Sequence, residues 1–217
     1  MPSGTLYSND GNVNGITAVN LVKEVAYIEG NYRLRQYGRG GGIATYDAKH
    51  GTFIPLSVDF VDDDTNFNLS NSTAGVSVHW ALENAYDFYL NNLNRNSFDD
   101  NGGKMIAYAH YDDGLLNASW DGVRMKFGDG TLNNNPVVSI DIVAHEFTHG
   151  ITQYTAGLIY QNEQGALNES FSDIFGATIE FYTLGSEADW FIGEGEARFR
   201  SMSNPKQYGQ PEYQLTP

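Results

Sequence analysis

Two histidines four residues apart, His145 and His149 in the stretch VAHEFTHG from Val143 to Gly150, are the residues of this chain best placed to do chemistry. On a helix they share one face, where two imidazoles can bind one metal ion while Glu146, the next residue round, reaches a water held by that metal. The chemistry of such a set is metal-assisted hydrolysis. A helix carrying two packed or surface histidines is the plainer alternative. The neighbours weigh against it: Val143, Phe147, Ile151 and Tyr154 recur at helical spacing as an apolar stripe, so the segment buries one side and turns its histidines towards a cleft.

A catalytic zinc site keeps three protein ligands and one open position. The stretch GALNESFSDIFGATIEF offers the third. Ala166, Ser170, Asp173 and Ala177 recur there at helical steps, and Phe171, Ile174, Phe175 and Ile179 supply an apolar face, which predicts a second helix. Glu169 and Asp173 lie four apart and point the same way. A carboxylate from Glu169 completes a set of two histidines and one glutamate, and Asp173, one turn on, accepts the remaining ring N–H of a metal-bound histidine. For each acid the alternative is an ordinary solvated helix face.

The run HEFTHGITQYTAGLIYQNEQGALNESFSDIFG resembles the thermolysin family of neutral metalloendopeptidases, gluzincins whose pattern is HExxH followed by a glutamate in an N-E-x-x-S-D segment; LNASWDG and FRSMSNP extend the likeness over nearly the whole chain. The resemblance implies a catalytic zinc held by His145, His149 and Glu169, with Glu146 activating the zinc-bound water and Asp173 orienting His145. It gives Tyr160 the role of donating to the developing oxyanion. It implies that Asn117 and Ala118 hold the substrate backbone with Trp120 as a wall, that Arg200 contacts that backbone beside the scissile bond, and that Ile142 and Phe199 line a pocket for an apolar residue just after the cut. Read alone, Asn117 is a turn residue; for Tyr160 the plainer alternative is a buried structural tyrosine. Glu180, Asp189 and Glu194 match the family's structural calcium positions, and Asp141, one turn before His145, fits that group better than the zinc. Phe191 stands where the family can carry an acid and offers only its carbonyl, which leaves the number of calcium ions open.

These residues need elements to position them. Short alternating runs such as VAYIEG and NYRLRQY predict strands separated by turns before residue 70, and GRGGG at 38–42 is a turn with no phosphate-loop context. VDDDTNFN carries Asp62, Asp64 and Asn66 in the alternation of a small oxygen-rich loop, a second and weaker calcium candidate or simply an acidic turn. An amphipathic helix is predicted from Thr73 to Leu93, with His79 as a packing or surface histidine, and a strand over MIAYAHY. The edge that continues into NASWDG can bind an extended peptide through main-chain hydrogen bonds. The Gly- and Asn-rich stretch GDGTLNNNP then marks a boundary ahead of the metal helix.

Composition bounds the rest. The 217 residues include 27 acids against 12 bases, a net charge of −15, which argues against nucleic acid as a partner. There is no cysteine, so disulfides, thiol nucleophiles and thiolate metal sites are excluded and any staple must be something like calcium. No stretch has the apolar length to cross a bilayer, and MPSGTLYSND lacks the regions of a signal peptide, so secretion is implied by the resemblance alone.

The expected fold class is α+β: a β-rich N-terminal domain with one long helix over 1–136, then over 137–217 the HExxH helix, a second metal-ligand helix and the start of a C-terminal domain. The chain has no histidine after His149 and ends at QLTP, so the helical domain that the resemblance implies is expected to be largely absent, or supplied by a separate segment. Three readings follow: a secreted zinc endopeptidase acting on peptides or proteins, a metal-stabilised module that holds extended peptides without cutting them, and a zinc- and calcium-binding fragment with little or no catalysis.

Overall fold

The Glu29-Gly30 turn shows how locally the chain begins to fold. Both residues have positive φ (52° and 87°), the requirement of a two-residue hairpin turn, and they join β1 (Ala26–Ile28) to β2 (Asn31–Arg33). The structure is a computed structural model and describes residues 25–64, 67, 70–131, 136–194 and 198–210. β2 also pairs with β6 (Val61–Asp62), making a three-stranded sheet.

The larger sheet has six strands. Its path runs β3 (Arg35–Gln36), β4 (Ile43–Gly51), β7 (Met105–Tyr111), β9 (Met125–Phe127) and β8 (Ala118–Trp120), with β5 (Val58–Asp59) paired to β4. β4, β7 and β9 are mutually parallel and β8 returns antiparallel to β9 as an edge. Parallel neighbours need a crossover. Between β4 and β7 this is α1 (Thr73–Leu93), whose bounds agree with the sequence reading.

Its character differs from that reading. The amphipathic expectation gives way to a helix buried all round from Ala74 to Tyr86, because the sheet, α2 (Ile140–Gln153) and α3 (Asn162–Leu184) crowd it. Its buried polar groups are paired accordingly: Glu83 with Arg39 at 3.2 Å and His79 Nδ1 with Thr45 Oγ1 at 2.9 Å. An apolar core among the described residues runs from Leu34 and Ile43 through Met105 and Phe127 to Val143, Phe147 and Ile179. Full burial of a side chain such as Phe147 is worth roughly 1.5–3 kcal/mol, so the metal helix is anchored by its apolar side. Tyr89 of α1 adds a 2.9 Å hydrogen bond to Thr148.

α2 and α3 pack more closely than ordinary side chains allow. At Gly176 a Cβ would sit 2.6 Å from the Asp141 carbonyl oxygen and 3.6 Å from the Cβ of His145. Gly176→Ala is therefore expected to push the two helices apart, costing about 1–3 kcal/mol of stability and weakening metal binding; denaturant melts and zinc titration unchanged from the parent would contradict this packing account.

The face that α3 buries matches only in part the one its apolar residues predict: Ile179 is buried and Phe175 packs against the core. Ser172, Asp173, Gly176, Ala177, Ile179 and Glu180 face inward, whereas Phe171 and Ile174 are 45% and 44% exposed. Delivering Glu169 and Asp173 to α2 decides the rotation of the helix, and Phe171 and Ile174 turn outward as a result. Tyr154, expected in the apolar stripe of α2, is likewise exposed at that helix's end.

Candidate active site

Four-residue spacing on α2 meets four-residue spacing on α3. The Nε2 atoms of His145 and His149 lie 3.5 and 3.3 Å from the two carboxylate oxygens of Glu169, and one ligand atom from each residue falls within 4.8 Å of the others. Both rings are held from behind. His145 Nδ1 is 2.8 Å from Asp173 Oδ1, while His149 Nδ1 is 2.7 Å from Asn168 Oδ1 and 3.1 Å from Ser172 Oγ. Acceptors behind Nδ1 leave each Nε2 lone pair aimed at the shared centre. Asn168 and Ser172 were not picked out from sequence as site residues, although their i, i+4 spacing beside Glu169 and Asp173 is a usable signal.

The electrostatics of this centre call for a cation. Burial disfavours charge on His145, but Asp173, Glu169 and Glu146 outweigh it and push its pKa up to about 9. Burial would raise Glu169, yet the two imidazoles and the Tyr160 hydroxyl hold its carboxyl well below the usual range. Two imidazole nitrogens and one carboxylate suit zinc, with room left for a further ligand.

Glu146 completes the constellation. It is 5% exposed, it accepts from the backbone N–H of Trp120, and its Oε2 has no hydrogen-bond partner. Burial first, and then the neighbouring Glu169, raise its pKa. A buried carboxylate with one unsatisfied oxygen is poised to take a proton.

Tyr160 is 66% exposed, so it is no buried structural tyrosine; its hydroxyl donates to Glu169 Oε1, and burial of that hydroxyl together with Glu169 pushes its pKa up to about 12. Arg200, on β11 (Arg200–Ser201), spends its guanidinium on Asp173 through bonds of 2.6 and 2.7 Å. It thereby fixes the residue that orients His145.

His145, His149, Glu169, Glu146, Tyr160 and Arg200 open on one cleft of about 590 Å³, with Asp173 and Ser172 behind its wall. Asn117, Ala118, Trp120, Ile142, Phe199 and Arg200 line it, and Val137, Leu158 and Ile192 are additional apolar walls. β8 borders this cleft through Ala118, Ser119 and Trp120, and among the described residues it pairs along one edge, with β9.

The acids expected to bind calcium separate into an inner trio and a neighbour. Glu180, Asp189 and Glu194 offer ligand atoms within 4.8 Å of one another. Asp141 stands beside them with both oxygens used, accepting from the amides of Ile142 at 2.7 Å and Gly193 at 2.5 Å. Arg198 enters unforeseen. It reaches Asp189 at 3.1 Å and Glu194 at 3.7 Å and lies 4.2 Å over the Phe191 ring, on β10 (Phe191–Ile192). In the weaker loop Asp62, Asp63 and Asp64 come together, while Asn66 lies outside the described residues.

Burial and the neighbouring Asp141, Glu194 and Asp189 push Glu180 up to about 9. A group raised in the folded state stabilises it below the unfolded pKa and loses that contribution as pH rises through the folded one. With chelator present, the melting temperature is expected to fall between about pH 5 and pH 9, and added calcium should abolish the fall. A melting temperature that is flat across this window in chelator would sink the account.

The model of the thermolysin metallopeptidase catalytic domain matches residues 10–153, and that of the same group's alpha-helical domain matches 156–215, which includes α3. The chain is 43% identical over 194 residues to the thermostable neutral protease NprT of Geobacillus stearothermophilus and to thermolysin of Alicyclobacillus acidocaldarius subsp. acidocaldarius, covering 85% of itself and 35% of each. It is 40% identical over 202 residues to the neutral protease NprE of Bacillus pumilus, covering 87% of itself and 63% of that protein. Among solved structures, the precursor of protealysin, a metalloproteinase from Serratia proteamaculans, superposes with a TM-score of 0.64 at 34% identity, over 74% of this chain and 53% of that one. The chain thus spans about a third of the length of the first two relatives.

Proposed function

The chain belongs to the thermolysin family of metallopeptidases, and on that premise we propose that it is a zinc endopeptidase cutting internal peptide bonds just before an apolar residue. The observation that carries this reading is the convergence of His145 Nε2, His149 Nε2 and the Glu169 carboxylate beside the unpartnered Oε2 of Glu146 in one cleft.

His145, His149 and Glu169 would hold the zinc, which supplies a Lewis acid able to polarise a peptide carbonyl and acidify water. The residues of the chain do the rest. Glu146 accepts the proton of the attacking water and returns it to the leaving amine. Tyr160 turns its hydroxyl from Glu169 to the oxyanion as charge develops there, a donor worth roughly 3–4 kcal/mol in such a role. Asp173 and Asn168 keep the two imidazoles in register, and Arg200 locks Asp173 while bordering the substrate backbone. The β8 edge at Asn117 and Ala118 takes an extended peptide by main-chain hydrogen bonds, and Ile142, Phe199, Val137 and Ile192 receive the apolar side chain.

Calcium at the Glu180, Asp189 and Glu194 trio serves as staple in a chain with no cysteine. Such a site suits the calcium-rich space outside the cell, where we place the enzyme with peptides or proteins as substrates. No helix among the described residues is long and apolar enough to cross a membrane, and the net charge of −15 disfavours nucleic acid.

The test is a quenched peptide with Leu or Phe after the scissile bond, in zinc and calcium. Cleavage that stops in a zinc chelator and returns with zinc supports the reading. Peptide bound at saturating zinc and left uncut would replace it with a peptide-holding module, a second reading that rests on the strand edge at Asn117 and Ala118 lining the cleft.

A further inference from the structure

A second group of histidines lies outside the cleft. β4, β7 and β9 run parallel and adjacent, so their C-terminal ends sit side by side. His50 comes from the end of β4, His110 from the end of β7, and Asp129 from just beyond β9. None of the three lines the cleft.

The backbone is bent to bring them together. Asp47 pairs with Ala109 and Gly51 with Tyr111, so β4 passes four residues where β7 passes two. A bulge of this kind re-aims a side chain. Lys49, His50 and His110 all take positive φ, at 56°, 58° and 54°, a conformation that L residues rarely adopt. The result is that the Nδ1 atoms of His50 and His110 face the two oxygens of one buried carboxylate, Asp129, the latter pair at 2.5 Å.

The other nitrogen of His110 identifies what is wanted there. Its Nε2 is 3.1 Å from the carbonyl oxygen of Asn71, which can only accept, so Nε2 carries the hydrogen. A neutral ring then points a bare Nδ1 lone pair at a carboxylate oxygen, and two acceptors face each other. A positive charge must sit between them. An imidazole backed by an acceptor on one nitrogen and presenting the other is the usual pose of a metal ligand; in the cleft His145 and His149 are backed at Nδ1, by the Asp173 carboxylate and the Asn168 side-chain oxygen, and present Nε2.

We propose that His50, His110 and Asp129 form a second metal site, taking a divalent transition metal such as zinc through the two Nδ1 atoms and the Asp129 carboxylate. The three ligand atoms lie within 4.8 Å of one another. Two imidazoles and one carboxylate select zinc, copper or nickel over calcium. The His50 side chain is 59% exposed, which leaves a coordination position to water and gives the ion a way in. The ion joins the ends of three strands, a cross-link between segments that this cysteine-free chain cannot tie by disulfides.

The site is tested by counting metal on the full chain, with calcium saturating the acid trio. Protein stripped by chelator and titrated with zinc should take up about two equivalents, His50→Ala about one, and His50→Ala combined with Glu169→Ala none. Cobalt in place of zinc should give visible absorption bands from both sites, and Asp129→Asn should lose the same part of that spectrum as His50→Ala. His50 is exposed and outside the cleft, so peptide cleavage by His50→Ala should match the parent; this keeps the outcome separate from that of the zinc endopeptidase reading. A single equivalent in the parent, removed by Glu169→Ala and untouched by His50→Ala, would overturn the proposal and leave a protonated His110 as the positive charge. Two equivalents retained in His50→Ala would overturn it as well.

Discussion

Glu146→Gln is expected to bind zinc as the parent does and to cut peptide about 10²- to 10⁴-fold more slowly, the usual contribution of a positioned general base. The amide has nearly the size of the carboxylate and keeps an oxygen for the Trp120 N–H, so neither packing nor the ligand set is disturbed. What it lacks is the lone pair and charge that take a proton. The substitution also removes a buried charge with an unpaired oxygen, so no loss of melting temperature is expected. Measured kcat/KM beside metal content decides the matter: hydrolysis at the parent rate with zinc in place would remove Glu146 from its role.

Glu169→Ala should release zinc altogether. Loss of a group behind a ligand typically weakens metal affinity about 10- to 100-fold, and loss of a ligand must exceed that. The structure adds a second cost. Glu169 carries one oxygen towards each Nε2 and accepts the Tyr160 hydroxyl, so its removal frees three partners at once and lets His145 take up a proton in place of the metal. Competition with a chromogenic chelator should show a Kd raised by more than about 100-fold, with activity lost in parallel. Unchanged zinc affinity in this variant would exclude Glu169 from the ligand set and redirect attention to Asp173.

Gly176→Ala and the calcium-dependent pH melt probe the scaffold around the same helices. They separate the site's chemistry from its support. A Gly176→Ala protein that loses zinc without losing its fold would show that helix spacing, and not ligand identity alone, sets affinity.

The parts of this site that were legible in the sequence are those that a helix makes local. His145 and His149, Glu169 and Asp173, and the neighbouring Glu146 owe their relative directions to 3.6 residues per turn, so four-residue spacing names them before any fold is known. The long helix from Thr73 to Leu93 could be read for the same reason, and the strand at MIAYAHY from its alternation. Roles for Tyr160, Arg200 and Asn117 came from likeness to a family, since nothing in their immediate neighbours marks them.

Tertiary structure decided the rest, because it depends on which faces meet. Of the apolar face expected of α3, Ile179 and Phe175 pack inward while Phe171 and Ile174 turn out, because bringing Glu169 and Asp173 to α2 across Gly176 sets the rotation of the helix. Arg198 joins the acid trio, and Arg200 grips Asp173, only through chain folding that spacing does not encode. His50, His110 and Asp129 are separated by 60 and 19 residues, and a bulge between two parallel strands is what unites them. The sequence by itself determined the chemistry that each helix can present; the packing of helix on helix and strand on strand determined where that chemistry converges, because contacts between distant segments are set by burial and close approach, not by any local repeat.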